Sequence, residues 1–298
     1  RTWRASWAPD ARQSEAEVLR AFVSVDLLTD QVLSFDRPTT VWGYVDGFGN
    51  ACTRIVARVG MTTIRTDFEI YDSGEPDPVA WDAVQHDIQN LPDDVLVFLL
   101  GSRYCDTDRL SDFAWAQFAH TPPGWARVQA ICDFVHNHIA FNYQNADPLR
   151  TAHGGFTDRT GVCRDFAHLA ITLCRCMNIP ARYCTGYLGD IMVPPVPDPM
   201  DFSAWFEVYL SGRWYAFDAR HNRPRIGRIL MGTGRDAADV ALARELPCLF
   251  LVDHEQVRAQ QHLPQIVSLR VDPEIHRVGD DRSEERRVGK ECLRLCRS

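Results

Sequence analysis

Apolar residues follow two rhythms along this chain. Before about residue 100 they alternate with polar ones: Thr62, Ile64, Thr66, Phe68 and Ile70 take every second position, and Thr39 to Tyr44 and Cys52 to Val59 are rich in strand formers. Asp46-Gly47-Phe48-Gly49-Asn50 and Asp72-Ser73-Gly74 are turn signals that bound these runs. The pattern predicts a β-rich N-terminal region over residues 1–100, with Ala16 to Val23 also suited to a short helix and the Pro- and Asp-rich residues 73–94 to a loop or linker. From Asp108 the period becomes helical. Leu110, Phe113, Ala114 and Phe118 share a face, Pro122-Pro123 breaks the chain, and Trp125, Val128, Cys132, Val135 and Ile139 trace a second face. A third helix is predicted over Cys163 to Met177, with a buried stripe of Phe166, Ala167, Ala170, Ile171, Cys174 and Met177 and a stop at Asn178 before Pro180.

After Pro180 the pattern is β again. Arg182 to Tyr187 is one strand. Ala204, Phe206, Val208 and Leu210 alternate with Trp205, Glu207 and Tyr209, and Ser211-Gly212 is a two-residue hairpin loop before Arg213 to Asp218. With that loop Leu210 pairs with Arg213, Trp205 faces Asp218 and Ser203 faces Arg220. The chain therefore divides into a β-rich region at 1–100, an α+β core at 101–243, an extension of no assigned architecture at 244–280, and residues 281–298. The last stretch carries six basic and four acidic residues, and Arg282 to Cys292 resembles the in-frame translation of a sequencing adapter, so it reads as an artefact or disordered tail.

Composition narrows the function classes. The 298 residues carry a net charge of −8, which disfavours wrapping nucleic acid. The longest apolar run, Val95 to Leu100, is strand-length and far short of the ~20 residues that span a bilayer, so no membrane partner is expected. Ten cysteines without a Cys-x-x-Cys pair fit a reducing cytoplasm better than a disulfide scaffold. Cys174-Arg-Cys176 lacks zinc spacing, and no Gly-rich phosphate loop is present.

The chemistry centres on Cys163, in Arg159-Thr-Gly-Val-Cys-Arg-Asp-Phe-Ala-His168. Gly161 permits a turn, and a thiol at a helix start feels the macrodipole and the unpaired N–H groups, which favour thiolate; the alternative is a small buried residue. Three separated blocks extend the signal: G-V-C-R-D-F-A-H-L-A from Gly161, N-I-P-A-R-Y-C-T-G-Y from Asn178, and A-W-F-E-V-Y-L-S-G-R-W-Y-A-F-D from Ala204. In this order they resemble the transglutaminase-like superfamily, over roughly residues 105–235. The resemblance implies a papain-like α+β core in which a Cys at a helix start, a His opening one strand and an Asp closing the next form a triad. Cys163 matches the nucleophile and Asp218 the orienting carboxylate. Ser203 stands at the family's His position, directly before Ala204-Trp205.

That departure decides the chemistry. Ser203 and Asp218 fall on one sheet face, roughly 7–8 Å apart at Cα, where an imidazole would reach the carboxylate and a serine cannot act as a base near neutral pH. Five other histidine positions bear on the question. His168 lies about 140° round the helix from Cys163 and reads as scaffold. His221 would extend the return strand onto the face opposite Asp218, unless the strand breaks near Ala219. His153 sits in a His-Gly-Gly loop upstream, and His136 and His138 read as solvated. Trp205, Trp214 and Tyr215 read as core and rim aromatics, Arg220, Arg223, Arg225 and Arg228 as a solvated turn that pairs with acidic neighbours, and Ile191 to Met200 as a rigid loop that either shapes a substrate groove or simply connects two strands. Two functions follow. One is cysteine-dependent acyl transfer or hydrolysis on a peptide or protein carboxamide, needing no metal or organic cofactor. The other is a non-catalytic module binding a peptide in the inherited groove.

Overall fold

The computed structural model describes residues 38–56, 69–191 and 202–240 without interruption, together with residues 2–7, 16–20, 33–36, 60–65, 193, 243–244 and 265–268. The stretch at 281–298 and most of the Ile191 to Met200 loop lie outside these residues. The N-terminal alternation becomes short strands: β1 (Thr2–Trp7), β2 (Ala16–Arg20), β3 (Ser34–Phe35), β4 (Val41–Val45), β5 (Ala51–Val56), β6 (Gly60–Arg65) and β7 (Glu69–Asp72). Ala16–Arg20 is a strand rather than a short helix, because its backbone pairs antiparallel with β5. The run expected from Met61 to Tyr71 splits into β6, which pairs with β1, and β7.

Residues 73–94 then cross to the core as turns and a short 3-10 segment. Val95 to Leu100, expected as a strand-length run, instead holds a 3-10 turn at Leu96–Leu99 that buries Phe98. Short apolar runs carry no period of their own, so tertiary packing decides their form.

The helical half contains α1 (Thr107–Phe118), α2 (Trp125–His138), the two-residue strand β8 (Ala140–Phe141), α3 (Ala152–Asp158), β9 (Thr160–Gly161) and α4 (Cys163–Cys176). Helix α3 occupies the stretch read as a loop; Thr151 caps it by accepting the Gly154 N–H, which offsets the poor helix propensity of Gly154-Gly155. Helix α4 is buried on every side rather than along a stripe, with Leu169, Ile171 and Leu173 at 0% exposure. It packs against α1, α2 and α3 and against the sheet strands β10 (Ala181–Leu188) and β11 (Phe202–Leu210). Asn178, with φ 59° in the left-handed region, ends it.

Two buried polar side chains of α4 find backbone acceptors. Thr172 donates to the His168 carbonyl, and the Arg175 guanidinium donates to the carbonyls of Ala181, Leu100 and Arg235. Arg175 thereby ties the helix end to the sheet.

The main sheet runs β12-β11-β10-β13, all antiparallel, with β12 at Arg213–Phe217 and β13 at Arg228–Gly234. The hairpin register is Leu210 with Arg213 through Phe206 with Phe217. Ser211 and Gly212 have φ 47° and 80°, the left-handed pair of a tight hairpin turn. Ala204, Phe206, Val208 and Leu210 join α4 in the main core, so Ser203 and Trp205 take the other sheet face. Past the core, β14 (Ala243–Arg244) pairs with β2 and β15 (Gln265–Ser268) with β7. The Asn50 side chain is a second link between the halves: it donates to the Thr233 carbonyl and accepts the Thr233 N–H, both at 2.8 Å. Among the described residues the fold is α+β, with four α-helices and antiparallel sheets beside the short parallel β8–β9 pair. Among the described residues no helix is long and apolar enough to cross a membrane.

Candidate active site

Cys163 is the first residue of α4 and is 8% exposed, at the edge of the main core. Two residues fix the chain there. Asp165, at the third helical position, accepts the Val162 N–H at 2.8 Å and so caps the helix from within. Gly161 is needed for contact rather than for a turn: a Cβ there would lie 2.5 Å from the Asp165 carboxylate. Burial raises the Asp165 carboxyl, opposed by the Arg164 and Arg150 charges and by the Val162 N–H. Arg164 reaches away to the carbonyls of Asp147 and Pro148. Tyr183, buried on β10, is raised first by burial and then by the nearby charge of Cys163, which places that ring within electrostatic reach of the sulfur.

Asp218 follows the last residue of β12 and ends the ladder. Its Oδ1 accepts the backbone N–H of both Arg220 and His221 at 3.0 Å, and the Asn222 N–H closes onto the Asp218 carbonyl at 2.7 Å. These bonds compete with strand pairing and win, as short acidic side chains often do at strand ends. His221 is therefore not on the opposite face, where the extrapolated strand would put it. It folds back, and its Nδ1 lies 2.8 Å from Asp218 Oδ2. Burial alone would raise Asp218, but the hydrogen bond from His221 and the Arg228 charge hold it well below the ordinary carboxylate range.

Arg228 and Asp77 complete this cluster. Arg228 Nη2 is 3.3 Å from Asp218 Oδ2, and its Nε–H is bifurcated between the two Asp77 oxygens at 2.8 and 3.0 Å. Its guanidinium also lies 5.1 Å from the Trp205 ring. Arg225 is buried and donates to the Gly189 carbonyl at 2.7 Å. Arg225 and Arg228 thus pair with acidic neighbours, as expected, but inside the molecule rather than in a solvated turn. No local pattern marks Asp77 or Arg228 in the sequence; they meet only because the 73–94 segment crosses the sheet.

Ser203 is buried opposite Gly186, and its Oγ has no hydrogen-bond partner among the described residues. His168 is fully buried, stacked 5.1 Å from Tyr104, and its Nε2 accepts the Ala237 N–H; burial keeps it neutral. His153, on α3, is placed by its backbone N–H on Asp106 Oδ1. His136 and His138 are not simply solvated: His136 Nδ1 bonds the carbonyls of Ala219 and Arg220, and His138 Nε2 that of Phe156.

The Asp218–Asn222 turn is linked through Arg220 and Phe141 to the strand that leads into Cys163. Strand β9 leads into Cys163 and pairs in parallel with β8, and the Arg220 guanidinium sits 3.7 Å from the ring of Phe141 on β8. On the α2 side of the turn is a cavity of about 360 Å³ whose lining includes Trp81, Trp125, Gln129, Cys132, Asp218 and Asn222. Among the described residues no group of three His, Cys, Asp or Glu is arranged to hold a metal ion.

Residues 112–219 match the family model described as the transglutaminase-like superfamily. An uncharacterized protein of Mycobacterium leprae is 38% identical over 121 residues, 39% of this chain and 39% of that protein. An uncharacterized Mycobacterium tuberculosis protein is 39% identical over 92 residues, 28% of this chain and 29% of that one. The matched stretches thus span well under half of these relatives. A solved structure described as a candidate cysteine protease from Cytophaga hutchinsonii is 27% identical, with TM-score 0.62, covering 90% of this chain and 96% of its own. The span matched by the family model contains Cys163 and Asp218 and stops two residues short of His221. Over residues 112–219 the chain is similar to the transglutaminase-like superfamily.

Proposed function

We propose that the chain is a cysteine-dependent enzyme acting on a peptide or protein carboxamide in which His221, not residue 203, is the base. The observation that carries this reading is the 2.8 Å contact of His221 Nδ1 with Asp218 Oδ2. A carboxylate on Nδ1 fixes the tautomer that leaves Nε2 to exchange a proton, the role the orienting Asp has in a triad. In this scheme Nε2 takes the Cys163 proton and the thiolate attacks the carbonyl carbon. Backbone N–H groups of the first turn of α4 hold the oxyanion. The tetrahedral adduct collapses to a thioester, and the leaving amine takes the proton from Nε2. Water or a second amine then attacks the thioester and releases the thiol. No metal or organic cofactor enters these steps. Cys105, Cys132, Cys174, Cys176 and Cys184 are buried thiols, which supports a reducing compartment such as the cytoplasm.

The test is alkylation of Cys163 by iodoacetamide at about pH 6.5, followed peptide by peptide by mass spectrometry. An imidazole-paired cysteine reacts there far faster than an ordinary thiol, and His221→Ala should slow it by about tenfold or more. Ser203→Ala should leave the rate within about twofold, and Ser203→His should not accelerate it, because the base is already supplied. A Cys163 rate equal to that of an ordinary thiol, unmoved by His221→Ala, would leave the non-catalytic binding module as the reading.

A further inference from the structure

The turn that carries His221 has no regular secondary structure to hold it. Besides its own bonds to Asp218, it is held from outside by one face of α2. Gln129, Asp133 and His136 are spaced at helical intervals on the polar side of that helix. Each of them bonds the turn. His136 Nδ1 contacts the carbonyls of Ala219 and Arg220 at 3.2 and 3.0 Å. Both partners are carbonyl oxygens, so Nδ1 must carry the proton. Asp133 Oδ1 accepts Asn222 Nδ2 at 2.8 Å, and Gln129 Nε2 donates to Asn222 Oδ1 at 2.9 Å and to Asp133 Oδ1 at 2.8 Å. The bonded groups bracket His221: two peptide carbonyls before it and one side chain after it. Asn222 itself has φ 50°, a left-handed conformation that Asn accepts more readily than most residues.

This arrangement is more than surface bonding. A turn pinned at residues 219, 220 and 222 fixes the backbone from which His221 projects onto Asp218. We infer that Gln129, Asp133 and His136 on α2 are positioning residues for the base, acting through Asn222 and the backbone of the turn. The inference rests on the reading of His221 as the base and adds the element that aims it. Small displacements of a catalytic group are costly: a misplacement of about 1 Å can lower a rate about a hundredfold.

A swap of hydrogen-bond polarity tests it, read in the full chain as the rate of Cys163 alkylation by iodoacetamide at about pH 6.5, with melting temperature recorded in parallel. Asn222→Asp places two carboxylates against each other and should slow the rate by about tenfold. Asp133→Asn keeps an acceptor oxygen but loses the charge that holds Asn222, and should slow the rate by about threefold. The double variant restores one donor and one acceptor with the original net charge, and should return the rate to within about twofold of the parent. A substitution that slows the rate by itself and yet rescues a more damaging one is not the signature of general destabilisation. If Asn222→Asp changes only the melting temperature, or if the double variant stays as slow as the single, α2 does not position the base and the inference fails. His221→Ala separates the two claims. If it slows alkylation while the Asn222 variants do not, only the inference is lost; if it leaves the rate unchanged, the base assignment and the inference fall together.

Discussion

Asp218 gathers four donors onto two oxygens: two backbone N–H groups on Oδ1, and His221 and Arg228 on Oδ2. Despite its burial the carboxyl is held below its ordinary range by His221 and Arg228. Its folded value lies under the unfolded value of about 3.9, so it contributes stability at neutral pH that is lost as acid titrates it below about pH 4. Asp218→Asn should therefore cost about 3–5 kcal/mol in urea unfolding near neutrality, by leaving Arg228 buried beside a neutral amide. The cost should shrink steadily as the pH is lowered from about 5 toward 2; a pH-independent difference would show that the charge is not what stabilises the turn. The sequence carried half of this. Asp218 and the Ser203 departure stand in local strings. The return of His221 does not, because extending the hairpin register past Phe217 assumes backbone pairing that Asp218 itself interrupts. An Asp closing a strand three residues before a His was the available signal.

At the scale of elements, periodicity served where one face meets one neighbour and failed where packing or capping overrides it. The helices α1 and α2 and the β11–β12 hairpin follow their apolar spacing. Helix α4 was readable as a helix but not as a central one, since Thr172, His168 and Arg175 look polar until their partners are seen. Strand β13 was not readable, because Gly232 and Gly234 interrupt it; Gly234 has no room for a Cβ, which would lie 2.5 Å from Asp239. The depth of α4 and its neighbours has a chemical consequence. Burial pushes the Cys105 thiol up to about 11, with Arg175 opposing, and the Cys176 thiol up to about 11; Cys132 and Cys174 are raised as well. At about pH 8 iodoacetamide should label Cys163 and leave these four untouched in the folded protein, whereas in urea all should react alike. Labelling of Cys174 at the rate of Cys163 would mean that α4 opens as readily as the surface.

Across the whole molecule, residues 73–94 are more than a connector. Asp77 accepts the Arg225 N–H at 2.8 Å, donates its own N–H to the Arg225 carbonyl at 2.8 Å, and holds the Arg228 Nε–H between its two oxygens. Arg228 then reaches Asp218, so a segment that composition marks as a linker supplies an outer member of the ionic chain ending at His221. Such a link is invisible in sequence because Asp77 and Arg228 are far apart and neither sits in a motif. Its energetic weight follows from burial: Arg228 is 8% exposed at its side chain and Asp77 13%. Removing one member of a buried pair leaves the other charge uncompensated, at about 3–5 kcal/mol. Asp77→Ala should therefore lower stability by about 3 kcal/mol, somewhat less than a fully dry pair because Asp218 still faces Arg228. It should also speed hydrogen exchange of the Arg225 amide, which loses its acceptor. If the segment were only a tether, neither quantity would move, and the Asp77→Ala variant would unfold at the same urea concentration as its parent.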